Sequence, residues 1–243
     1  MARDETALIV GAGSGLSASL ARALAAEGVR VALAARNPGK LEALARETGA
    51  IALACDAVDR AQVEAALAAV ESKWSTPDLV VYNASYRSRG PLVELDPSEV
   101  KRALEVTAYG GFLVAQAAAK RMLASDRSAA QGAARQSGAG AIFFTGASAS
   151  VKGYPESAPF AMGKFALRGL AQSMARELHP QGIHIGHVVI DGGIRSARRP
   201  PDPGNPDALL APDAIAQSYW RLIEQPRSGW SWEIEVRPWV EEF

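Results

Sequence analysis

A single cysteine, Cys55, stands in the 243 residues, so an internal disulfide is excluded. Its neighbours Leu53 and Ala54 place it in a strand and not in a reactive setting. Net charge is missing too: 26 Lys and Arg offset 26 Asp and Glu, which leaves no overall field to draw in DNA, RNA or an acidic membrane. No lysine- or arginine-rich run supplies a local field. The densest cluster, Arg195 to Arg199, is broken by Ser196 and Ala197, is followed by prolines and reads as a loop. No apolar stretch approaches the length of a membrane span, and Met1 to Glu5 leads straight into a strand, without space for a signal peptide. The three histidines, His179, His184 and His187, make no metal set with a carboxylate at suitable spacing. These absences predict a soluble cytoplasmic protein with neither nucleic acid nor membrane as partner, and no metal site.

What is present begins six residues from the N-terminus. Ala7-Leu-Ile-Val-Gly-Ala-Gly-Ser-Gly-Leu16 is an apolar run that stops at glycines and passes at once into a helix pattern with Leu16, Leu20 and Leu24 at helical spacing. A buried strand hands over in this way to a helix whose N-terminal N–H groups can hold a phosphate. Glycine allows the tight turn and lets an anion come close to the backbone. A tight turn alone also needs glycine, but Gly28, which can end the helix, and Val29 to Ala34, which reads as a second buried strand, complete the start of a βαβ unit.

Strand and helix patterns then alternate without a long-period repeat. Asn37 caps and Pro38 opens a helix; Ile51 to Cys55, Leu79 to Tyr82, Ala141 to Thr145 and Ile183 to Ile190 read as strands. Asp59 caps a helix with Val63, Leu67, Val70 and Trp74 on one face. Asp96-Pro-Ser-Glu99 opens one long helix expected to run to Leu123, and further helices are expected over Pro159–Leu178 and Pro212–Ile223. Ser125 to Gly140 reads as a mobile linker, and Trp232, Ile234 and Val236 alternate as a last strand. The pattern predicts α/β architecture: one Rossmann-like domain over residues 1–243, a doubly wound parallel sheet with helices on both faces. Ligands of such sheets sit beyond the carboxyl ends of the strands, and the unusual residues of this chain fall there.

Those residues resemble the short-chain dehydrogenase/reductase family along essentially the whole chain. Gly11-Ala-Gly-Ser-Gly15-Leu-Ser17 is similar to its cofactor loop Thr-Gly-x-x-x-Gly-x-Gly, with Val10 for the threonine and Ser17 for the last glycine. Asp56-Ala57 resembles the aspartate that holds the adenine amino group, and Tyr82-Asn83-Ala84-Ser85 the family's Asn-Asn-Ala-Gly. Lys164 falls where the lysine of Tyr-x-x-x-Lys belongs, and Asp191-Gly192 where Pro-Gly is usual. The resemblance implies cofactor contacts from Gly11, Gly13, Ser14, Gly15, Leu16, Arg36, Asp56, Ala57, Asn83, Lys164, Gly192 and Ile194. Ala35-Arg36 at the end of the second strand offers a guanidinium and no carboxylate, so NADP is expected, with NAD as the alternative if Arg36 only stacks on the adenine.

The resemblance also exposes a gap. In the family a tyrosine protonates the carbonyl oxygen, a lysine lowers its pKa and holds the ribose, and a serine and a helix asparagine support them. Here those positions hold Phe160, Lys164, Ala147 and Thr107. A phenyl ring cannot donate a proton, so a substitute is expected: Tyr154 first, with Ser148, Ser150 and Tyr109 as alternatives. Lys164, Tyr154 and Ser148 are the expected catalytic set. Asp191 is a further candidate acid, although an aspartate before two glycines is also an ordinary turn. The expected activity is carbonyl reduction or alcohol oxidation on a small organic substrate. The alternatives are a cofactor-binding sensor or noncatalytic partner subunit, and a nonredox enzyme on the same scaffold. Arg195 to Pro212 is expected to form a flap over the substrate. The long helix from Pro97 and the aromatic C-terminal segment Trp230, Trp232 and Trp239 suggest a homodimer or homotetramer.

Overall fold

The computed structural model describes residues 4–125 and 138–241, so most of the linker over Ser125–Gly140 lies outside the described residues. Seven strands form one sheet: β1 (Thr6–Val10), β2 (Arg30–Ala35), β3 (Ile51–Ala54), β4 (Leu79–Tyr82), β5 (Gly140–Thr145), β6 (Ile183–Ile190) and β7 (Glu233–Val236). All pair in parallel, in the order β3-β2-β1-β4-β5-β6-β7. The helices are α1 (Leu16–Ala26), α2 (Glu42–Thr48), α3 (Arg60–Lys73), α4 (Pro97–Leu104), α5 (Gly110–Ala124), α6 (Ala158–Leu178) and α7 (Pro212–Ile223). The expected doubly wound α/β fold is what forms.

Alternation along each strand explains the two cores. In β1, Ala7 and Ile9 join the core made with α1 and α7, whereas Leu8 and Val10 join the one made with α3, α5 and α6. Phe143 and Phe144 of β5 divide in the same way, and both are fully buried. A sheet covered on both faces favours apolar residues at every position, and Ala7 to Val10 of β1 and Leu79 to Val81 of β4 accordingly read as unbroken apolar runs, while β6 buries His184 and His187 among its apolar residues.

The predicted caps form. The Asp59 carboxylate accepts from the Ala61 and Gln62 N–H groups, Asp96 accepts from Ser98, and Asn37 accepts from Gly39 in a 3₁₀ turn that precedes α2. Glu99, however, does not reach back to close a capping box; it accepts the Tyr86 hydroxyl at 2.5 Å. The long helix expected from Pro97 to Leu123 is also not continuous. Glu105–Tyr109 widens into a π turn between α4 and α5. The buried Tyr82 hydroxyl donates to the Val106 carbonyl of that turn at 2.5 Å, satisfying an oxygen that the wider turn leaves over. Gly110 and Gly111 permit the approach: a Cβ on Gly110 would stand 2.5 Å from the Tyr82 hydroxyl, and one on Gly111 2.6 Å from Leu167.

The chain winds outward from β1 to β3, then crosses back to place β4 on the other side of β1. The loops that leave β1 and β4 therefore part company, and a crevice opens beyond the carboxyl ends of the strands.

Candidate functional site

Two cavities occupy this crevice, one of about 550 Å³ beside the ends of β1 to β3 and one of about 680 Å³ beside the ends of β4 to β6. Asn83 and Ser85, in the loop after β4, line both. Together they make one elongated site.

The first cavity is built mainly from backbone. Gly11 has φ of +81°, and a Cβ there would stand 2.3 Å from the backbone nitrogen of Ala84, so the loops after β1 and β4 meet main chain to main chain. Gly13 and Ser14 line the cavity. At Gly13 and at Gly15, the residue that opens α1, no atom lies within 4 Å of where a side chain would begin. No side chain caps α1, so its first N–H groups face an open cradle, the arrangement that fits a phosphate group. Ser17 stiffens this loop: its hydroxyl accepts from Asn83 Nδ2 at 2.8 Å and donates to the Gly11 carbonyl at 3.4 Å. The Asn83 side chain is thus engaged with the loop.

Arg36, Asp56 and Ala57 line the far end of the first cavity, joined by Lys40. Sequence reading missed Lys40; its place four residues after Arg36, in the short 3₁₀ turn that Pro38 opens, was the signal. Asp56 accepts from the Val58 N–H at 3.3 Å. Cys55 lines the same wall, and burial, aided by Asp56 and Asp59, pushes its thiol up to about 11, consistent with an inert packing residue.

The second cavity is built from side chains. Lys164, on α6, is only 3% exposed, and its ammonium donates to the Thr145 carbonyl at 2.6 Å. Burial alone lowers its pKa to about 8. Phe160 lies one turn earlier, with its ring centre 5.7 Å from the lysine nitrogen, and the Arg87 guanidinium carbon lies over the same ring at 4.9 Å from its centre. Tyr154, about half exposed, lines this cavity with Ser148, Gly192, Ile194 and Leu16. The Ser157 hydroxyl, on the same wall, is buried without a hydrogen-bond partner.

Asp191 is neither a free turn residue nor an available acid. It is 2% exposed and accepts from Lys152 at 2.9 Å and from Arg237 at 2.8 Å. Burial opposes its ionisation, but the Ser148 hydroxyl and the two cations outweigh that and hold the carboxyl below its usual range. Ser148 thus stands beside the Asp191 carboxylate as well as on the cavity wall. Ser150 accepts from the Ala147 N–H at 3.1 Å, which shapes the turn after β5. Thr107 and Tyr109 stand outside both cavities: Thr107 is buried and accepts from the Tyr86 N–H at 3.2 Å, while Tyr109 is 52% exposed and stacks on Phe112.

The Arg195–Arg199 cluster divides. Arg195 staples the flap to itself through the carbonyls of Leu209 and Pro206, and Arg199 lines the second cavity. Arg87 and Arg89 line it as well. Sequence reading missed all three as site residues, because segments more than a hundred positions apart converge there. Of the tryptophans, Trp230 stacks on His184 and Trp232 packs against the core, leaving Trp239 exposed. Among the described residues, no helix is long and apolar enough to cross a membrane.

Comparison with known proteins agrees with this geometry. A D-threitol dehydrogenase of Mycolicibacterium smegmatis is 30% identical over 189 residues, 76% of this chain and 68% of that protein. A short-chain dehydrogenase from Rhodopseudomonas palustris superposes with a TM-score of 0.81 at 33% identity, covering 98% of this chain and 100% of that one. A metagenomic short-chain oxidoreductase solved with NADP gives 0.79 at 27% identity over 98% of each chain. Residues 5–199 match the short chain dehydrogenase family, and the chain belongs to that family.

Proposed function

We propose that this protein is an NADP(H)-dependent oxidoreductase that interconverts a carbonyl and an alcohol on a small organic substrate, with a proton donor other than the usual tyrosine. The observation that carries the reading is the continuity of the two cavities. An open, uncapped helix start lies along one and a buried lysine in the other, with Asn83 and Ser85 common to both. That shape suits a dinucleotide laid across the crevice, and the metagenomic short-chain oxidoreductase of similar fold was solved in complex with NADP.

In this reading Gly13, Ser14, Gly15 and Leu16 hold the pyrophosphate, Asp56 and Ala57 the adenine, and Arg36 with Lys40 a 2′-phosphate. Lys164 holds the ribose, and Gly192 and Ile194 the nicotinamide end. When bound, the nicotinamide supplies or accepts the hydride. Tyr154 gives the proton to the carbonyl oxygen: it is the phenol on the wall of the second cavity, and a phenol is a far stronger acid than the Ser148 hydroxyl. Ser148 then positions substrate through its oxygen lone pairs. The protein acts in the cytoplasm as a homodimer or homotetramer, a reading supported by the exposed Tyr109, Phe112, Met162 and Phe165 on neighbouring helical segments.

Fluorescence titration with NADPH and NADH tests the binding half, and turnover of a carbonyl and alcohol panel tests the chemical half. Tyr154→Phe is expected to lower kcat by about 10²–10⁴-fold with NADPH affinity retained, the scale of a lost general acid. An unchanged kcat removes Tyr154 from the role. The second reading, a noncatalytic cofactor-binding sensor or subunit, is favoured by Phe160 and Ala147 standing where the family resemblance expects tyrosine and serine. Tight NADPH binding without turnover on any substrate selects it.

A further inference from the structure

The chain carries no net charge, yet the side chains around the second cavity include Lys164, Arg87, Arg89 and Arg199 and not one carboxylate. Among the described residues, no Asp or Glu forms an ion pair with any of the three arginines. Four arginines elsewhere, Arg22, Arg121, Arg168 and Arg237, each pair closely with a carboxylate. Three exposed guanidinium groups gathered without counter-ions make the mouth of this cavity strongly positive, a potential that draws in an anion.

Geometry shows how the anion would be met. The Arg87 guanidinium carbon lies over the Phe160 ring, 4.9 Å from its centre. That cation–ring contact uses none of the guanidinium N–H groups as donors to a carboxylate, so they are available for a paired contact with a carboxylate or phosphate. Arg199 reaches the cavity from the stapled flap and passes over Gly193, where an added Cβ would meet its Nη1 at 2.9 Å. Burial, together with the charges of Arg89 and Arg199, lowers the Arg87 pKa from its ordinary value, as expected of cations that share one space. The buried, unpartnered Ser157 hydroxyl on the same wall adds a donor with nothing to bind.

We propose that Arg87, Arg89 and Arg199 form an anion clamp over the second cavity, so that the substrate is a carbonyl compound or alcohol bearing a carboxylate or phosphate group. Phe160 then has a task of its own, as the ring over which the Arg87 cation is held. The substrate assignment rests on the oxidoreductase reading above; the anion site does not.

Calorimetric titration of the full chain with benzoate, phenylphosphonate and benzyl alcohol, with and without NADPH, tests the clamp through unreactive probes. At least one anion is expected to bind at least tenfold more tightly than the neutral alcohol. The tighter of the two tells carboxylate from phosphate. Raising salt from about 0.05 to 0.5 M is expected to weaken that binding through screening. Arg89→Gln and Arg199→Gln, both at exposed positions, are each expected to weaken it about tenfold or more, the scale of one charged hydrogen bond, with NADPH affinity within twofold of the parent. Equal binding of neutral and anionic probes overturns the clamp. So does a loss of NADPH affinity in the variants, which would assign the arginines to the cofactor. Anion binding that persists in a protein unable to hold NADPH supports the clamp while removing the oxidoreductase reading.

Discussion

The two ends of the crevice are built by opposite means. The end beside β1 to β3 is shaped by main chain, with Gly11 pressed against Ala84 and Gly13 and Gly15 left bare. The end beside β4 to β6 is shaped by side chains: a buried lysine, a phenylalanine, a half-exposed tyrosine and three unpaired arginines. A backbone cradle tolerates little change, because every alternative residue brings in a Cβ. A side-chain wall can be rebuilt one position at a time. The contrast explains how a chain can keep the family's loop almost whole and yet hold phenylalanine where the resemblance expects its proton donor.

The sharpest way to break the contrast is to put a side chain into the backbone end. Gly11→Val places a branched Cβ within 2.3 Å of the Ala84 nitrogen at φ of +81°, which forces the loops after β1 and β4 apart. We expect NADPH binding to fall by more than a hundredfold and stability by about 3 kcal/mol, on the scale of overpacking plus a strained backbone. Gly13→Ala is the control: nothing lies within 4 Å of its Cβ position, so stability should hold and only ligand affinity should fall. Equal destabilisation by both substitutions would contradict a role for Gly11 in joining the loops.

The same contrast decides what could be read in advance. Glycine spacing and apolar runs report main-chain geometry directly, so β1, α1 and the cradle were legible, as were the caps at Asp59 and Asp96. The arginine cluster was not, since Arg87 and Arg89 leave one strand end and Arg199 reaches in from the flap after another. Only the sheet order brings them together. The π turn over Glu105–Tyr109 was hidden for a related reason: local periodicity favours one continuous helix, while the Tyr82 hydroxyl and the close approach at Gly110 and Gly111 act from another element. Asp191 was read as a turn or an acid because Lys152 and Arg237 are distant in sequence.

A second test concerns the cost of the side-chain end. Lys164 is held at about 8 against an ordinary 10.5 by burial. Below pH 8 it is charged in both folded and unfolded chains, and the desolvation cost is present in full. Between about 8 and 10.5 the unfolded chain binds more protons, so stability rises with pH across that window. The full cost is about 3 kcal/mol, partly offset by the bond to the Thr145 carbonyl. Lys164→Met is therefore expected to stabilise the protein at pH 7 by about 1–2 kcal/mol, to flatten the rise between pH 8 and 10.5, and to weaken NADPH binding. Such an exchange of stability for function is common at working sites. Thermal melts of both proteins from pH 6 to 10.5 provide the check. A destabilised variant with an unchanged pH slope would show that Lys164 is a packing residue.

The smallest effect is expected where the backbone end finally uses side chains. Arg36 and Lys40 stand together at the far end of the first cavity, and among the described residues the one carboxylate on that wall, Asp56, is turned toward its own loop by the Val58 N–H. A 2′-phosphate would meet two cations there, whereas a bare ribose would find no acceptor from Arg36 or Lys40. Arg36→Ser should lower the preference for NADPH over NADH by about tenfold, near the value of one charged hydrogen bond, and Lys40→Ser by less, since a lysine offers a point charge where arginine offers a fork. Steady fluorescence titrations with both coenzymes measure this directly. If Arg36→Ser weakens NADPH and NADH alike, Arg36 stacks on the adenine and reads no phosphate, and coenzyme choice would have to rest on Lys40 alone.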